Sequence, residues 1–261
     1  MGKVQEAVAN KSKYSYSLWS WGLNEEGLVE SFVETSVGHL SRVSDDFEII
    51  LVDDGSSDRT WEIMQECARK HPCLKIIKHE KNLQPGRCMH TCFKHTTKDV
   101  VFWNTVDMFF DMSKLPGFVK HLDEYDVVQG VRTDRKSNTY RSFYRRMNSA
   151  VNYSLIRLLF NVPLNDFQNV TFLKWDFLKN QHFDSGSTFT NPECVIKAYY
   201  NGLKIKEVPM KHMDRKKGKA KGGRISTVIA AVKDIFKCYF LWKWLKRIKI
   251  NKGEIVPFDK K

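Results

Sequence analysis

The sequence predicts an α/β protein built on a mainly parallel sheet with helices on both faces. Three observations predict it. Short apolar runs rich in β-branched residues alternate with stretches whose apolar residues recur at helical spacing. The run Ile49-Ile50-Leu51-Val52 passes directly into Asp53-Asp54-Gly55-Ser56-Ser57-Asp58, a strand, an acidic turn and a helix start. A second acidic cluster, Asn24-Glu25-Glu26, stands at an equivalent strand-to-helix junction. In open α/β sheets, ligands bind outside the carboxyl ends of the strands, where both turns fall.

The elements follow in order. Residues 1–13 are polar and read as an N-terminal extension rather than a signal peptide. Residues 14–21 read as a first strand, in which Trp19 and Trp21, like Trp103 later, are expected in the core. Asn24 is a plausible N-cap for a helix presenting Leu28, Val29, Phe32, Val33, Val37 and Leu40. The central strand is followed by a helix with Trp61, Met64, Cys67 and Ala68 on one face, capped by Ser57 or Asp58. A strand at 74–78, a turn through Asn82 and Gly86, a helix to about Thr96 and a strand at 100–104 come next. Ser113 opens a helix carrying Leu115, Phe118 and Leu122, and residues 126–131 form a further strand.

The second half is less regular. A long helical pattern covers 143–160, and Asp166 lies in the loop before a strand at 170–173. A helix opened by Pro192 runs to 201. After a strand at 204–209, residues 211–224 form a loop too charged for a core and too glycine-rich for a helix. Residues 226–248 read as a last helix that mixes aromatic and aliphatic residues with lysines. That mixture suits a membrane interface, and packing on the domain is the open alternative. The division is therefore 1–13, a domain at 14–225, and a basic aromatic amphipathic helix and tail at 226–261.

The bulk properties narrow the function. With 43 basic and 30 acidic residues the net charge is +13, which points to an anionic partner. Much of the excess lies in one loop and the last helix, without a recognisable nucleic-acid module, so no nucleic-acid partner is expected. The six cysteines form no Cys-x-x-Cys pair and read as reduced core residues of a cytoplasmic protein. The eight histidines show no metal-ligand spacing, and no apolar run reaches the ~20 residues of a membrane span.

In their joint order, Asn24-Glu25-Glu26, Val52 through Asp58, Asn82 with Gly86, Asp107, Gly130-Val131-Arg132, Asp166, Glu207-Val208-Pro209 and Arg215-x-x-Gly218-x-x-Lys221 carry a resemblance. The chain resembles the family 2 glycosyltransferases of the GT-A fold. Within them it is similar to the polyprenyl-phosphate (dolichyl-phosphate mannose synthase-like) sugar transferases. The resemblance implies inverting transfer of a sugar from a nucleotide-diphosphate donor to a polyprenyl phosphate, peripherally on the cytoplasmic face of a membrane that the last helix contacts. It implies donor binding by Asn24, Glu25, Asp53, Asp54, Gly86 and Arg132. It gives Asp107 and Asp166 as catalytic residues: Asp107 holds Mg²⁺ or Mn²⁺ on the diphosphate, and Asp166 is an acid near the reaction centre, the candidate general base for a hydroxyl acceptor. Arg215 and Lys221 would close over the diphosphate and the acceptor phosphate. The chain departs from the family pattern in places. Its Asp-x-Asp motif reads Thr105-Val106-Asp107, and Phe109 replaces a frequent glutamine. Gln84, Cys88, Cys92 and Lys98 stand where small residues are common. A non-catalytic nucleotide-sugar-binding protein of the same fold is the alternative that the missing acid keeps open.

Overall fold

The computed structural model describes residues 11–133, 143–213 and 225–258. One eight-stranded sheet runs through it in the order β3-β2-β1-β4-β6-β5-β7-β8. Its strands are β1 (Tyr16–Gly22), β2 (Phe47–Asp53), β3 (Leu74–Lys78), β4 (Val100–Trp103), β5 (Val127–Arg132), β6 (Thr171–Lys174), β7 (Ile205–Met210) and β8 (Ile255–Val256). All neighbours are parallel except β6, which runs antiparallel between β4 and β5. The helices are α1 (Val29–Val43), α2 (Thr60–Lys70), α3 (Pro85–His95), α4 (Leu115–Val119), α5 (Phe143–Phe160), α6 (Trp175–Leu178), α7 (Thr190–Tyr200) and α8 (Ile225–Tyr239).

The central strands are buried on both faces, which is why they read as continuous apolar runs. Side chains alternate across the sheet. Leu18, Ile49, Leu51 and Phe102 face Phe32, Met64, Leu115 and Phe118 of α1, α2 and α4. Trp19, Ile50, Val52 and Trp103 face the core formed with Cys88 and Cys92 of α3, Phe160 of α5, Val195 of α7 and Ile235 of α8. Order reverses at β1: β2 and β3 lie to one side and β4 to the other. The crevice at the carboxyl ends of β1 and β4 is thus the topological switch point.

Several expected boundaries move. Residues 11–13 are tied to the domain: Ser12 N donates to Val43 O at 2.7 Å and the Ser12 hydroxyl pairs with Tyr16 at 2.6 Å. α1 begins at Val29 with Leu28 as its N-cap, so Asn24 does not cap it. At α2 the N-cap is Arg59, while Asp58 Oδ1 accepts the Thr60 N–H at 3.0 Å. The expected helix from Ser113 is a 3₁₀ turn, Met112–Lys114, followed by short α4. α7 opens at Thr190, two residues before Pro192. α8 passes into a π-turn at Phe240–Trp244 and ends there, short of 248. The two-residue β8 carries no periodic signal; it pairs with β7, and Ile255 packs against the core.

Candidate functional site

Strand register builds the site. Gly22 lies opposite Asp53, so the turns after β1 and β2 sit side by side, and Asp54 N donates to Gly22 O at 2.9 Å. The two turns interlock. Asn24, at φ 51°, donates its N–H to Ser56 Oγ (2.8 Å) and accepts Ser57 N–H on Oδ1 (2.8 Å). Glu25 N donates to Thr60 Oγ1 at 2.7 Å, and Glu26 Oε2 accepts Arg59 N–H at 3.1 Å. Gly55, at φ 79°, turns against Lys81: an added Cβ would stand 2.6 Å from that carbonyl carbon. Asn24, Glu26, Ser56 and Ser57 thus fix the two turns against each other.

Beyond β4 the chain stays beside β1. Asn104 N donates to Trp19 O at 3.1 Å and Val106 N to Trp21 O at 3.5 Å, which carries Asp107 to the mouth of the same crevice. The Asn104 side chain closes the loop on Phe110, donating to its O at 3.0 Å and accepting its N–H at 3.2 Å.

The resulting cleft brings Glu25, Asp54 and Asp107 together with Asn82 and Thr105. Glu25 and Asp54 are buried and Asp107 is half-buried. Asp54 is heavily engaged. Its Oδ1 accepts Leu83 N–H at 2.9 Å and pairs with His79 Nδ1 at 2.8 Å, and Oδ2 accepts Gln84 N–H at 3.1 Å. The Cys88 thiol lies against the same carboxylate, and burial together with that negative charge pushes the thiol pKa up. Asp54 therefore shapes the cleft floor by holding the loop at residues 82–84.

The other expected residues take different places. Asn24 is an exposed clamp between the turns. Asp53 is fully buried behind the cleft, with Oδ1 accepting Ser56 N–H at 2.9 Å. Its Oδ2 has no hydrogen-bond partner among the described residues. Gly86 lets α3 approach the next segment: a Cβ there would meet Ser187 O at 2.2 Å. Arg132 ends β5, half-buried, and is not part of the cleft lining. Its N–H donates to Asp166 Oδ2 at 3.4 Å. Asp166 also accepts Phe167 N–H (2.8 Å), Gln168 N–H (3.2 Å) and the Asn169 amide, so its carboxylate binds the approach to β6 to the end of β5. Arg215 and Lys221 lie outside the described residues.

Other cleft residues come from sequence-distant segments. Thr188 precedes α7, and Ser226 and Thr227 open α8. The segment before α7 is held by α8: Asp234 Oδ2 accepts Gly186 N–H and Ser187 N–H, each at 2.9 Å. Trp21, expected in the core, is half-buried and lines the cleft, whereas Trp19 and Trp103 are buried and stacked at 6.3 Å. The period-2 placement of Trp21 one residue from the carboxyl end of β1 is the signal that locates it.

The donor set suits a hard divalent cation. Asp107 supplies a carboxylate and Thr105 a hydroxyl, which donates to Asp107 Oδ1. Mg²⁺ is commonly held by one or two carboxylates plus substrate phosphates and waters. His212 stands beside this loop. Its ring stacks on Phe109 at 5.6 Å, Met213 N donates to Phe109 O at 2.9 Å, and its Nδ1 lies 3.0 Å from Met213 O.

One face of α8 is core and the other is not. Ala231, Ile235, Cys238 and Trp242 are buried, whereas Ile225, Ile229, Phe236, Phe240, Trp244 and Leu245 are exposed, Trp244 by 74%. One face thus packs on the domain, and the other leaves large apolar side chains exposed. Among the described residues no helix is long and apolar enough to cross a membrane.

Known proteins share this architecture. Glucosyl-3-phosphoglycerate synthase from Mycobacterium tuberculosis, in complex with Mg²⁺ and UDP, superposes with a TM-score of 0.63 at 13% identity, over 86% of this chain and 79% of that one. A Pyrobaculum calidifontis mannosyltransferase in complex with GDP-Man and Mn²⁺ gives 0.60 at 17% identity, over 92% and 66%. These likenesses establish the GT-A fold. In sequence, the undecaprenyl-phosphate 4-deoxy-4-formamido-L-arabinose transferase of Edwardsiella ictaluri is 27% identical over 220 residues, 82% of this chain. Glycosyltransferase AglD of Haloferax volcanii is 25% identical over 223 residues, 80% of this chain. The chain spans 65% of the length of the first relative and 35% of the second. The model of glycosyl transferase family 2 matches residues 23–181, the stretch that builds the interlocked turns and the acidic cleft, and the chain belongs to that family.

Proposed function

We propose that the chain transfers a sugar from a nucleotide-diphosphate donor to a polyprenyl phosphate, with inversion, at a membrane surface. The observation that carries this reading is the convergence of Glu25, Asp54 and Asp107, from three separate segments, on one cleft whose far side is the start of α8. Relatives named as undecaprenyl-phosphate sugar transferases support the acceptor class.

In this reading Glu25 accepts hydrogen bonds from the nucleoside, and Asp54 positions the 82–84 loop beneath it. An acceptor phosphate oxygen bonds to the anomeric carbon as the bond from that carbon to the diphosphate breaks, and the electron pair leaves on the nucleotide. An anionic acceptor needs no general base, in keeping with an Asp166 carboxylate that already accepts several N–H donors. Mg²⁺ or Mn²⁺ at Asp107 would supply charge stabilisation for the leaving diphosphate. Arg215 and Lys221 are proposed as its cationic counterparts. The exposed apolar stripe of α8, with Lys233, Lys237 and Lys246 also exposed, would lie on a membrane of anionic lipid.

The test is transfer from radiolabelled nucleotide sugars to polyprenyl phosphate in vesicles, paired with a thermal-shift screen of the same donors with and without Mn²⁺. The expected result is one donor that raises the melting temperature and yields labelled lipid. A panel that gives neither would overturn the proposal. A second reading, a nucleotide-sugar binder without turnover, is favoured by Thr105, whose hydroxyl occupies Asp107 Oδ1 where the family pattern has an acid. A melting-temperature shift without labelled lipid, with transfer appearing only in Thr105→Asp, would select it.

A further inference from the structure

Behind the cleft floor, three potential ligand atoms from three elements meet in the core. Asp54 follows β2, His79 follows β3, and Cys88 sits in the first half of α3. Their carboxylate, imidazole and thiol atoms all lie within 4.8 Å of one another, and all three residues are buried. The imidazole bridges two elements: Nδ1 lies 2.8 Å from Asp54 Oδ1 and Nε2 lies 2.8 Å from Thr91 Oγ1. Cys88 is one of the positions where this chain departs from the small residue common in its family.

We infer that Asp54, His79 and Cys88 form a binding site for one zinc-class divalent cation, distinct from the hard-cation position at Asp107.

Four points carry this inference. The first is geometry. Tetrahedral zinc, with bonds of about 2.0–2.3 Å, needs its ligand atoms roughly 3.3–3.6 Å apart. The trio lies within 4.8 Å, so rotamer-scale adjustment closes it. The second is charge. One carboxylate and one thiolate neutralise a divalent ion, which makes full burial tolerable. The third is the outer shell. With the metal on Nδ1, the ring proton moves to Nε2 and is donated to Thr91 Oγ1, whose own hydrogen goes to Arg87 O at 3.2 Å. The Leu83 and Gln84 amides keep the carboxylate oriented, as metal-bound carboxylates require. The fourth is ligand softness. Imidazole and thiolate favour zinc-class ions, whereas carboxylate and hydroxyl oxygens favour Mg²⁺ and Mn²⁺. A water from the cleft that Asp54 lines would complete the set. The proton balance is simple. The thiol proton goes to solvent as the sulfur–metal bond forms. The ion would tie β2, β3 and α3 together under the cleft floor.

The test needs no sugar donor, so its result is independent of the proposed activity. The full chain, stripped with a chelator, is titrated with Co²⁺ and then Zn²⁺. The expected result is one equivalent of Co²⁺ with a thiolate-to-metal absorption band and four-coordinate visible bands, displaced by Zn²⁺ and not by Mg²⁺. Cys88→Ala should abolish the thiolate band, and His79→Gln should weaken binding by at least the roughly 10–100-fold seen when even outer-shell partners are lost. Zn²⁺ should raise the melting temperature of the parent chain and not of Cys88→Ala. The other five cysteines stay in place in that variant. A thiolate band that survives Cys88→Ala, or no band at excess Co²⁺, would overturn the inference. Should Cys88→Ala fail to fold, Cys88→Ser serves, with the same loss expected.

Discussion

Two buried polar networks hold this protein together at its cleft, and they work in opposite ways. Around Asn24 and Asp54 the side chains mostly accept backbone N–H groups from neighbouring turns, and Asp54 ends up facing the cleft beside Glu25. Beneath α8 the network is ionic and faces nothing. Lys197, buried, meets Glu193 at 2.7 Å and Asp184 at 3.0 Å. Glu193 also accepts Asp184 N–H (2.7 Å) and Ser185 N–H (2.9 Å), and Asp184 Oδ2 accepts the Trp242 indole at 2.8 Å. The first network is a wall of the cleft. The second is a frame that fixes where α8 and the segment before α7 lie, and through Thr188 and Ser226 it decides the far side of the cleft. Burial of a charge does not by itself mark chemistry: among the described residues the most deeply buried ion pair, Lys197 with Glu193, lies outside the cleft lining.

Substitutions should separate wall from frame. The largest effect is expected on the wall's activity. Asp107→Asn should lower sugar transfer by about 10²–10³-fold with little change in melting temperature, read by initial rates against thermal denaturation. An equal loss of both would place Asp107 in the frame. Next, Lys197→Met leaves Glu193 buried without its cation and should destabilise the fold by about 3–5 kcal/mol, measured by urea unfolding. A neutral result would show that Glu193 is satisfied by the Asp184 and Ser185 amides alone. Gly86→Ala lies where the two meet. Its Cβ would press on Ser187 O, so a cost of about 1–3 kcal/mol should accompany weaker donor binding, because Thr188 is displaced with it.

Acid should act on another buried carboxylate, Glu48, at the opposite end of the sheet. Burial pushes the Glu48 pKa up, but the Lys75 ammonium, the Ser17 hydroxyl and the Thr97 amide and hydroxyl outweigh it and hold it below the ordinary 4.5. Ionised Glu48 therefore stabilises the fold above that pH, and the contribution fades as pH falls below 4.5 through the folded-state value. Glu48→Gln should flatten this part of the stability–pH curve, and an unchanged curve would count against it. The smallest stability effect belongs to the exposed stripe of α8. Phe236→Glu with Trp244→Glu should shift unfolding by no more than about 0.5 kcal/mol each yet abolish partition onto anionic vesicles. Unaltered vesicle binding would remove α8 from the membrane proposal.

Much of this was legible in the residue order. The strand-and-helix alternation, the bounds of β3 and α5, and the acid turns at strand ends all follow from local patterns. The convergence of Glu25, Asp54 and Asp107 follows from parallel neighbours. Other features were not legible, for identifiable reasons. Asp166 has the right type and place for a base, but only the fold reveals the amides that surround it. Trp21 and Trp19 share a face and a residue type, and only the end of the strand separates a cleft wall from a core. The contribution of Ser226 depends on Asp234 holding Gly186 and Ser187, contacts 47–48 residues apart that no window on the sequence spans.

The sequence alone determined the α/β architecture, the family and the wall of the cleft, because periodic burial and turn chemistry act between near neighbours in chain or sheet. Tertiary structure alone decided which buried acids face the cleft, which face of α8 is left outside, and that Cys88 meets His79 and Asp54. Those outcomes depend on how separate elements pack, and packing is set by the whole core at once.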